Sequence, residues 1–167
     1  MPEMEIVVTD ANIFLDLWNT GLMDGFCPMG WRVHTTDFVL AELYAPDEMR
    51  EKMARLIAGK KIIVVPFSPT KYAGMLRLMR KALSEADCSV LYYAKSGGYA
   101  VLTGDKALRK AAESMGIDVR GIFYVFDAMK DKDLLTEEEY RAGLIKLMST
   151  NKRLPQQEFV KRLDSSK

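Results

Sequence analysis

The chain has 167 residues, 49% hydrophobic and 28% charged, a balance typical of a folded protein with a substantial core. A net charge of +1 excludes strong overall attraction to nucleic acid, and no apolar run is long enough to span a membrane. The sequence opens without a basic leader, and Cys27 and Cys88 lack ligand-like spacing. We therefore expect one domain over residues 1–167, with reduced core thiols and a cytoplasmic location.

The chain begins with a buried strand that passes at once into a helix. Residues 6–8 are β-forming, and Thr9 and Asp10 join them to apolar residues at helical spacing over residues 11–23. Asp10 is thus predicted at the carboxyl end of a strand. Ligands bind at that edge of open α/β sheets.

From residue 31 to residue 120, short apolar runs alternate with longer amphipathic runs. In order, we predict an ambiguous short strand at 31–35, helices at 37–44 and 47–58, a strand at 62–65, a helix after Ser68, a helix at 84–97, a strand at 99–102, a helix at 106–115 and a short strand at 116–120. This alternation predicts a parallel sheet with helices on both faces.

The last part of the chain is predicted to be mainly helical. Residues 123–129 fit either a strand or a helix, whereas Thr136 begins a helix that runs to about residue 148. Pro155 opens a last short helix. We expect residues 126–164 to extend a core at about residues 4–125, without a linker between them.

Four acids follow or lie within apolar runs: Asp10, Glu42, Asp87 and Asp105. Each has a structural explanation, either as a helix cap or as a solvent-exposed position, and Asp87 has the spacing of a capping box with Ser84. Clustered carboxylates repel one another, and a hard divalent cation would offset that repulsion. Because Asp10 and Asp105 repeat one arrangement of strand, acid and helix, we favour a shared metal site over independent caps.

Positive charge is concentrated between residues 71 and 110, a segment that contains eight Lys or Arg residues and three acids. Arg77 and Arg80 share a helical stripe, and Lys106 and Arg109 follow Asp105. Such a stripe is most often a solvated helix face. Beside a site for a negatively charged ligand, these side chains would instead bind phosphates.

Other chemistry has less support in the sequence. His34 is the single histidine, which argues against a His-based zinc site or a Ser-His-Asp triad, and we expect it to be structural. No P-loop or GxGxxG motif is present. The pair Gly97-Gly98 is interpreted as the end of a helix.

Four short motifs occur in order along the chain. They are Val8-Thr9-Asp10-Ala11-Asn12, Ala41-Glu42-Leu43, Ser84-Glu85-Ala86-Asp87 and Leu102-Thr103-Gly104-Asp105-Lys106. Together they resemble the PIN domain, a family of metal-dependent ribonucleases that includes bacterial toxins of toxin–antitoxin pairs. The resemblance implies a three-layer α/β/α fold, with a parallel sheet of four to five strands between helices.

The resemblance also implies roles for particular residues. Metal binding and catalysis would fall to Asp10, Glu42, Asp87 and Asp105, supported by the polar side chains of Asn12 and Thr103. The implied cofactor is Mg²⁺ or Mn²⁺. The phosphates of single-stranded RNA would contact Lys106, Arg109, Arg77 and Arg80. The implied partners are RNA, an antitoxin protein and a second copy of the chain. No association with a membrane is expected.

Two departures from the family pattern support an alternative, a degenerate PIN-like module that binds RNA or a protein without cleavage. Gly104 stands where the family often has Asn or Ser, and Lys106 and Arg109 lie where a further acid is common. Glu85 also rivals Asp87. On a helix these two side chains point about 200° apart, so one of them faces the cluster, and we choose Asp87 for its motif position.

Overall fold

The computed structural model describes residues 4–43, 46–77 and 83–165. The strands are β1 (Glu5–Thr9), β2 (Trp31–Thr36), β3 (Ile62–Val65), β4 (Ala100–Leu102) and β5 (Val119–Arg120). Within the described residues they form one parallel sheet in the order β3-β2-β1-β4-β5. The predicted α/β fold is confirmed, and the ambiguous residues 31–35 belong to a strand.

Helices cover both faces of this sheet. They are α1 (Ala11–Asn19), α2 (Met23–Phe26), α3 (Asp37–Glu42), α4 (Asp47–Ala58), α5 (Pro69–Leu76), α6 (Glu85–Gly97), α7 (Lys106–Ser114), α8 (Ile122–Asp131), α9 (Glu137–Thr150) and α10 (Gln156–Ser165). The first helix ends earlier than predicted, near Gly21, which has a φ of +73°. Residues 123–129 are helical. Across the described ranges, no helix has the length and apolar character needed to cross a membrane.

Two apolar clusters hold the layers together because successive side chains of a strand point to opposite faces. Val7 of β1 packs in a cluster with residues of α1, α2, α8, α9 and α10, whereas Val8 packs with residues of α6 and α7. Both valines are completely buried. A side chain buried to this extent contributes about 1.5–3 kcal/mol to stability. Cys88 belongs to the second cluster, while Cys27 is only half-buried, and both are free thiols.

The strand order places a topological switch point between β1 and β4. The chain adds β2 and β3 on one side of β1, and then β4 and β5 on the other. Ligands in open α/β sheets bind outside the carboxyl ends of the strands at such a point. Asp10 directly follows β1, and Asp105 lies three residues beyond the end of β4.

A buried polar contact joins the first helix to the C-terminal helices. The Asp16 carboxylate on α1 is only 6% exposed and accepts hydrogen bonds at 3.1 Å from the side-chain amide of Asn151, which directly follows α9. Burial raises the pKa of Asp16 to about 6, although the Asn151 amide opposes this shift. The contact spans 135 residues of sequence and anchors α9 on α1.

Candidate active site

Asp10 is held at both of its carboxylate oxygens. Its Oδ1 accepts a hydrogen bond from the backbone N–H of Ile13 at 3.0 Å, so Asp10 is the N-cap of α1. Its Oδ2 accepts a hydrogen bond from the hydroxyl of Thr103. The residue is only 4% exposed. A carboxylate oxygen has two lone pairs, so the cap leaves acceptor capacity for a further ligand.

Thr103 joins the two acids that follow β1 and β4. It is completely buried, and its hydroxyl donates to Asp10 while accepting a hydrogen bond from the backbone N–H of Asp105 at 3.0 Å. Asp105 caps α7 by accepting a hydrogen bond from Leu108 N–H at 2.8 Å. The Asn12 side chain, in contrast, makes no hydrogen bond to any residue that the structure describes. Asp10 and Asp105 are therefore positioned relative to each other by the protein alone.

Asp87 lies in the first turn of α6, where it forms a capping box. Its Oδ2 accepts from Ser84 N–H at 3.3 Å, and its own N–H donates to Ser84 Oγ at 3.1 Å. Sequence reasoning missed Ser89, whose hydroxyl lies 2.6 Å from that of Thr36 at the end of β2. This contact ties α6 to the carboxyl edge of the sheet. Ser89 has no motif that could have revealed it, because its partner is 53 residues away.

Glu42 and Glu85 differ from the other acids in their surroundings. Glu42 is exposed at the last residue of α3, rather than in the middle of a helix that continues to residue 44. Residue 44 lies outside the described residues. Glu85, the rival of Asp87, is exposed, whereas Asp87 is half-buried. The greater burial of Asp87 is consistent with the prediction that Asp87, rather than Glu85, faces the other acids.

The four acids influence one another electrostatically. Burial raises the pKa of Asp10 to about 7, and the charges of Asp87 and Asp105 add to this effect, while hydrogen bonds from Thr103 and Ile13 oppose it. Burial also raises the pKa of Asp87, with a contribution from Asp105. Burial and the charge of Asp87 raise the pKa of Glu42. Adding negative charge at this edge of the sheet is therefore unfavourable without a cation.

No described Lys or Arg side chain lies within ion-pair distance of these acids. The ion pairs of the described residues do not include Asp10, Glu42, Asp87 or Asp105. Within the same ranges, no three acid, histidine or cysteine side chains lie close enough together to bind one ion directly. Mg²⁺ keeps several waters and is commonly bound through one or two carboxylates. The donor set fits a hydrated divalent ion of this kind, rather than a fully enclosed one.

The predicted phosphate-binding side chains occupy different positions around this edge. Lys106 is exposed at the first residue of α7. Arg109 is half-buried, and its Nη1 lies 3.8 Å from Oε1 of Glu113, one helical turn further on. Arg77 is exposed at the end of α5, and Arg80 falls outside the described residues. Lys106 is thus the predicted cation nearest in sequence to an acid of the cluster, directly after Asp105.

Gly104, between Thr103 and Asp105, leaves open space. A Cβ added at Gly104 would meet no atom within 4 Å, and the residue is exposed. The backbone conformation there is also outside the left-handed region. The departure from the family pattern at Gly104 is therefore not required by packing.

Comparison with known proteins agrees with this geometry. The fold is similar to that of PAE2754 from Pyrobaculum aerophilum (TM-score 0.54, 15% identity, covering 77% of this chain and 91% of that chain). It is also similar to FitAB bound to a DNA fragment (TM-score 0.50, 17% identity, covering 70% of this chain and 95% of that chain). No curated protein matches the sequence. The family described as PIN domain matches residues 6–167, and the chain therefore belongs to the PIN domain family.

Proposed function

We propose that this PIN domain is a divalent-metal-dependent ribonuclease that cleaves phosphodiester bonds of single-stranded RNA. The observation that supports it most directly is Asp10, buried at the switch point with a pKa of about 7 and without a described cationic partner. A protein keeps such an acid at a cost in stability, and strongly perturbed acids in a cluster are typical of functional sites. PIN domains are generally nucleases, which agrees with this chemistry.

The acids would divide the work according to their positions. Asp10 and Asp105 would bind Mg²⁺ or Mn²⁺, while Asp87 and Glu42 would bind through water from the α6 and α3 side. A bound ion would lower the pKa of a water molecule and stabilise the leaving oxygen of the phosphodiester. Asp87 would accept a hydrogen bond from the attacking water and orient it. Asn12 remains a prediction as a supporting residue.

The side chains of Thr103 and the nearby cations would prepare the site for this chemistry. Thr103 holds the Asp10 carboxylate through its hydroxyl, so the acid needs little rearrangement to bind an ion. Lys106, and more distantly Arg109, Arg77 and Arg80, would hold phosphates beside the acids. Because Asp10 is only 4% exposed, a flexible single strand is better suited than a rigid duplex to bring a phosphate to it.

The direct test is cleavage of labelled single-stranded RNA with Mn²⁺. We expect Asp10→Asn and Asp87→Asn to lower the rate by about 10²–10³-fold, because the first weakens binding of the ion that stabilises the transition state and the second removes the acceptor that orients the attacking water. Glu85→Gln is the matched control, since it neutralises an exposed acid in the same helical turn as Asp87. Equal rates for wild type and Asp10→Asn, or the absence of metal-dependent cleavage, would exclude the proposed function.

A second candidate function is a module that binds RNA or protein without cleaving it. It is favoured by the finding that no three described ligand side chains are close enough to bind one ion directly. Calorimetry with Mn²⁺ separates the two candidates. A nuclease should bind Mn²⁺ in a manner that Asp10→Asn abolishes, whereas a degenerate module should show no such binding.

We also propose an antitoxin partner, as expected for a toxin-like PIN domain. An apolar cavity of about 340 Å³ lies between α3 and α4, lined in part by Leu40, Leu43, Met49 and Met53. Glu42 lies between Leu40 and Leu43 in sequence. A partner segment with apolar side chains and a basic group would fit there. Co-purification of a small second protein that inhibits RNA cleavage would support this partner, and inhibitor-free recovery of fully active protein from the native host would contradict it.

A further inference from the structure

A second concave surface lies near the C-terminal end of α6. It consists of two cavities, of about 240 Å³ and about 600 Å³. His34 lines the larger cavity, and its Nδ1 lies 2.7 Å from the hydroxyl of Tyr93, which lines the smaller one. The two cavities are therefore adjacent. We call this surface the basic-aromatic groove and define it by Arg32, Lys60, Lys61, Lys71, Tyr93 and Tyr99.

The charge of the basic-aromatic groove is positive among the residues that the structure describes. Arg32, Lys60 and Lys61 line the larger cavity and Lys71 lines the smaller one, and all four side chains are exposed. Of the described residues that line either cavity, none is Asp or Glu. None of the four cations forms an ion pair with a described acid. In a protein with a net charge of +1, this concentration of cations indicates a negatively charged ligand.

Aromatic rings line the smaller cavity together with Lys71. The Tyr93 and Tyr99 rings have centroids 5.3 Å apart, and Phe67 and Tyr92 line the same cavity. Tyr99 packs directly on Gly97, where an added Cβ would lie 2.0 Å from the Tyr99 ring. The backbone thus holds one face of Tyr99 closely. Rings that share a surface with cations are typical of sites on which nucleic-acid bases stack while phosphates bind the cations.

The basic-aromatic groove and the acids lie at opposite ends of α6 and at opposite edges of the sheet. Arg32 lies near the amino end of β2, and Lys60 and Lys61 directly precede β3. Tyr93 is six residues beyond Asp87 on α6, which corresponds to about 9 Å along the axis. A flexible strand that contacts both surfaces would have to run along α6. A duplex keeps its bases stacked on one another and cannot offer them to the tyrosines, and an acidic peptide has no bases to stack.

From these observations we propose that the basic-aromatic groove binds single-stranded RNA outside the cleavage site. The cations contact phosphates, and at least one base stacks on the tyrosine pair. The choice of RNA as ligand rests on the proposed function, whereas the presence of a site for a single-stranded polyanion with planar bases rests on the groove itself. The groove would add affinity for a strand that continues along α6 toward the acids.

The test measures binding in the absence of cleavage. Fluorescence anisotropy of a labelled mixed-sequence RNA of about 12 nucleotides is recorded with EDTA, in an Asp10→Asn background. The variant Arg32→Gln/Lys61→Gln removes two groove cations. The matched control Lys146→Gln/Lys161→Gln removes two exposed cations from α9 and α10. Because all four substituted side chains are exposed, both variants should fold.

We expect the groove variant to bind about tenfold more weakly at ~0.1 M salt, with the control unchanged. The slope of log affinity against log salt should fall by about 1.4, since each phosphate contact to a single strand contributes about 0.7. Tyr99→Leu should weaken binding without changing the slope, because it removes stacking and leaves the charges. Single-stranded DNA of the same sequence tests how far the groove distinguishes the sugar, and weaker binding of DNA supports RNA as the ligand.

Four results would overturn the groove as an RNA site: no binding of the RNA, equal losses in the groove and control variants, duplex RNA binding as tightly as the single strand, or competition by poly-glutamate as effective as that by RNA. The readout does not depend on cleavage. Loss of binding in the groove variant together with an inactive wild type would reject the proposed function and keep the groove. Active wild type with unaffected groove variants would reject the groove alone.

Discussion

The two ends of α6 carry opposite charge, and the protein holds that charge in different ways. At the N-terminal end, Asp10 and Asp105 cap helices and Asp87 completes the capping box of α6 with Ser84, so backbone N–H groups fix all three carboxylates. Near the C-terminal end, the cations of the basic-aromatic groove are exposed and extend on long side chains. A small divalent ion requires ligands at defined positions, whereas a flexible polyanion is accommodated by mobile ones.

This contrast predicts a large dependence of stability on pH at the acidic end. In metal-free protein, the pKa of Asp10 is about 7 in the folded state, against an ordinary value of 3.8 for an unperturbed aspartate. The raised pKa stabilises the fold fully below pH ~4, and this contribution is lost as pH rises to about 7. The loss amounts to at most about 4 kcal/mol, at 1.36 kcal/mol per pKa unit. Asp10→Asn should remove most of this loss.

The measurement is chemical denaturation in EDTA at pH 5 and pH 8. The difference between wild type and Asp10→Asn isolates Asp10, because Asp16, whose pKa is about 6, titrates in both proteins. Asp131→Asn, at an exposed acid, serves as the control. Added Mn²⁺ should restore wild-type stability at pH 8. If the difference in unfolding free energy between wild type and Asp10→Asn is the same at both pH values, the ionised Asp10 carboxylate does not destabilise the fold.

A smaller effect is expected from the hydroxyl that links Asp10 with Asp105. Thr103→Val keeps the shape of the side chain but removes both of its hydrogen bonds. We expect the affinity for Mn²⁺, measured by calorimetry, to fall about 10–100-fold, as for other groups that orient metal ligands. Thr35→Val is the control, since it removes a buried hydrogen bond to Thr9 without contacting Asp10. Equal Mn²⁺ affinities in the two variants would show that the Thr103 hydroxyl does not contribute to metal binding.

The opposite end of α6 can be perturbed separately. Gly97→Ala forces Tyr99 to move, which should cost about 1–3 kcal/mol in the free energy of unfolding and weaken RNA binding. The affinity for Mn²⁺ should stay unchanged. Gly98→Ala is the control, because Gly98 has a φ of +70° and open space around it, so that only backbone strain of about 1–2 kcal/mol is expected. Loss of Mn²⁺ binding in Gly97→Ala would mean that the two ends of α6 are coupled.

The smallest effect is expected at Gly104. Since a side chain there meets nothing within 4 Å, Gly104→Ser should change the free energy of unfolding by less than about 0.5 kcal/mol. The new hydroxyl restores a polar group between Thr103 and Asp105, so the affinity for Mn²⁺ should be equal or higher. A fall in Mn²⁺ affinity would show that the site depends on glycine there.

The regular part of the fold was predictable from local pattern. β1 with α1, and β4 with α7, combine an apolar run, a capping acid and helical spacing over a few residues. β2 was ambiguous because its end is polar. There Thr35 donates to the Thr9 carbonyl at 2.8 Å and Thr36 contacts Ser89, so the polar groups are satisfied by residues far away in sequence. The local sequence pattern does not indicate partners that are so far away in the chain.

The same limit applies to the two functional surfaces. The acids could be proposed from sequence because three of them occupy helix N-termini, which have a recognisable local pattern. The groove could not, because His34 and Tyr93 are 59 residues apart and meet only when α6 packs on β2. Its cations also come from separate segments, with Arg32 on β2 and Lys71 on α5.

The contact between Asp16 and Asn151 has a consequence for synthesis of the chain. The ribosome makes the N-terminal residues first, so α1 exists before the residue that completes its burial. At about 5–20 residues per second, the 135 residues between them take roughly 7–27 s. During that interval the Asp16 carboxylate lacks its amide partner, and α1, which Asp10 caps, lacks its packing against α9. A nascent chain therefore completes the packing around α1 only late in translation.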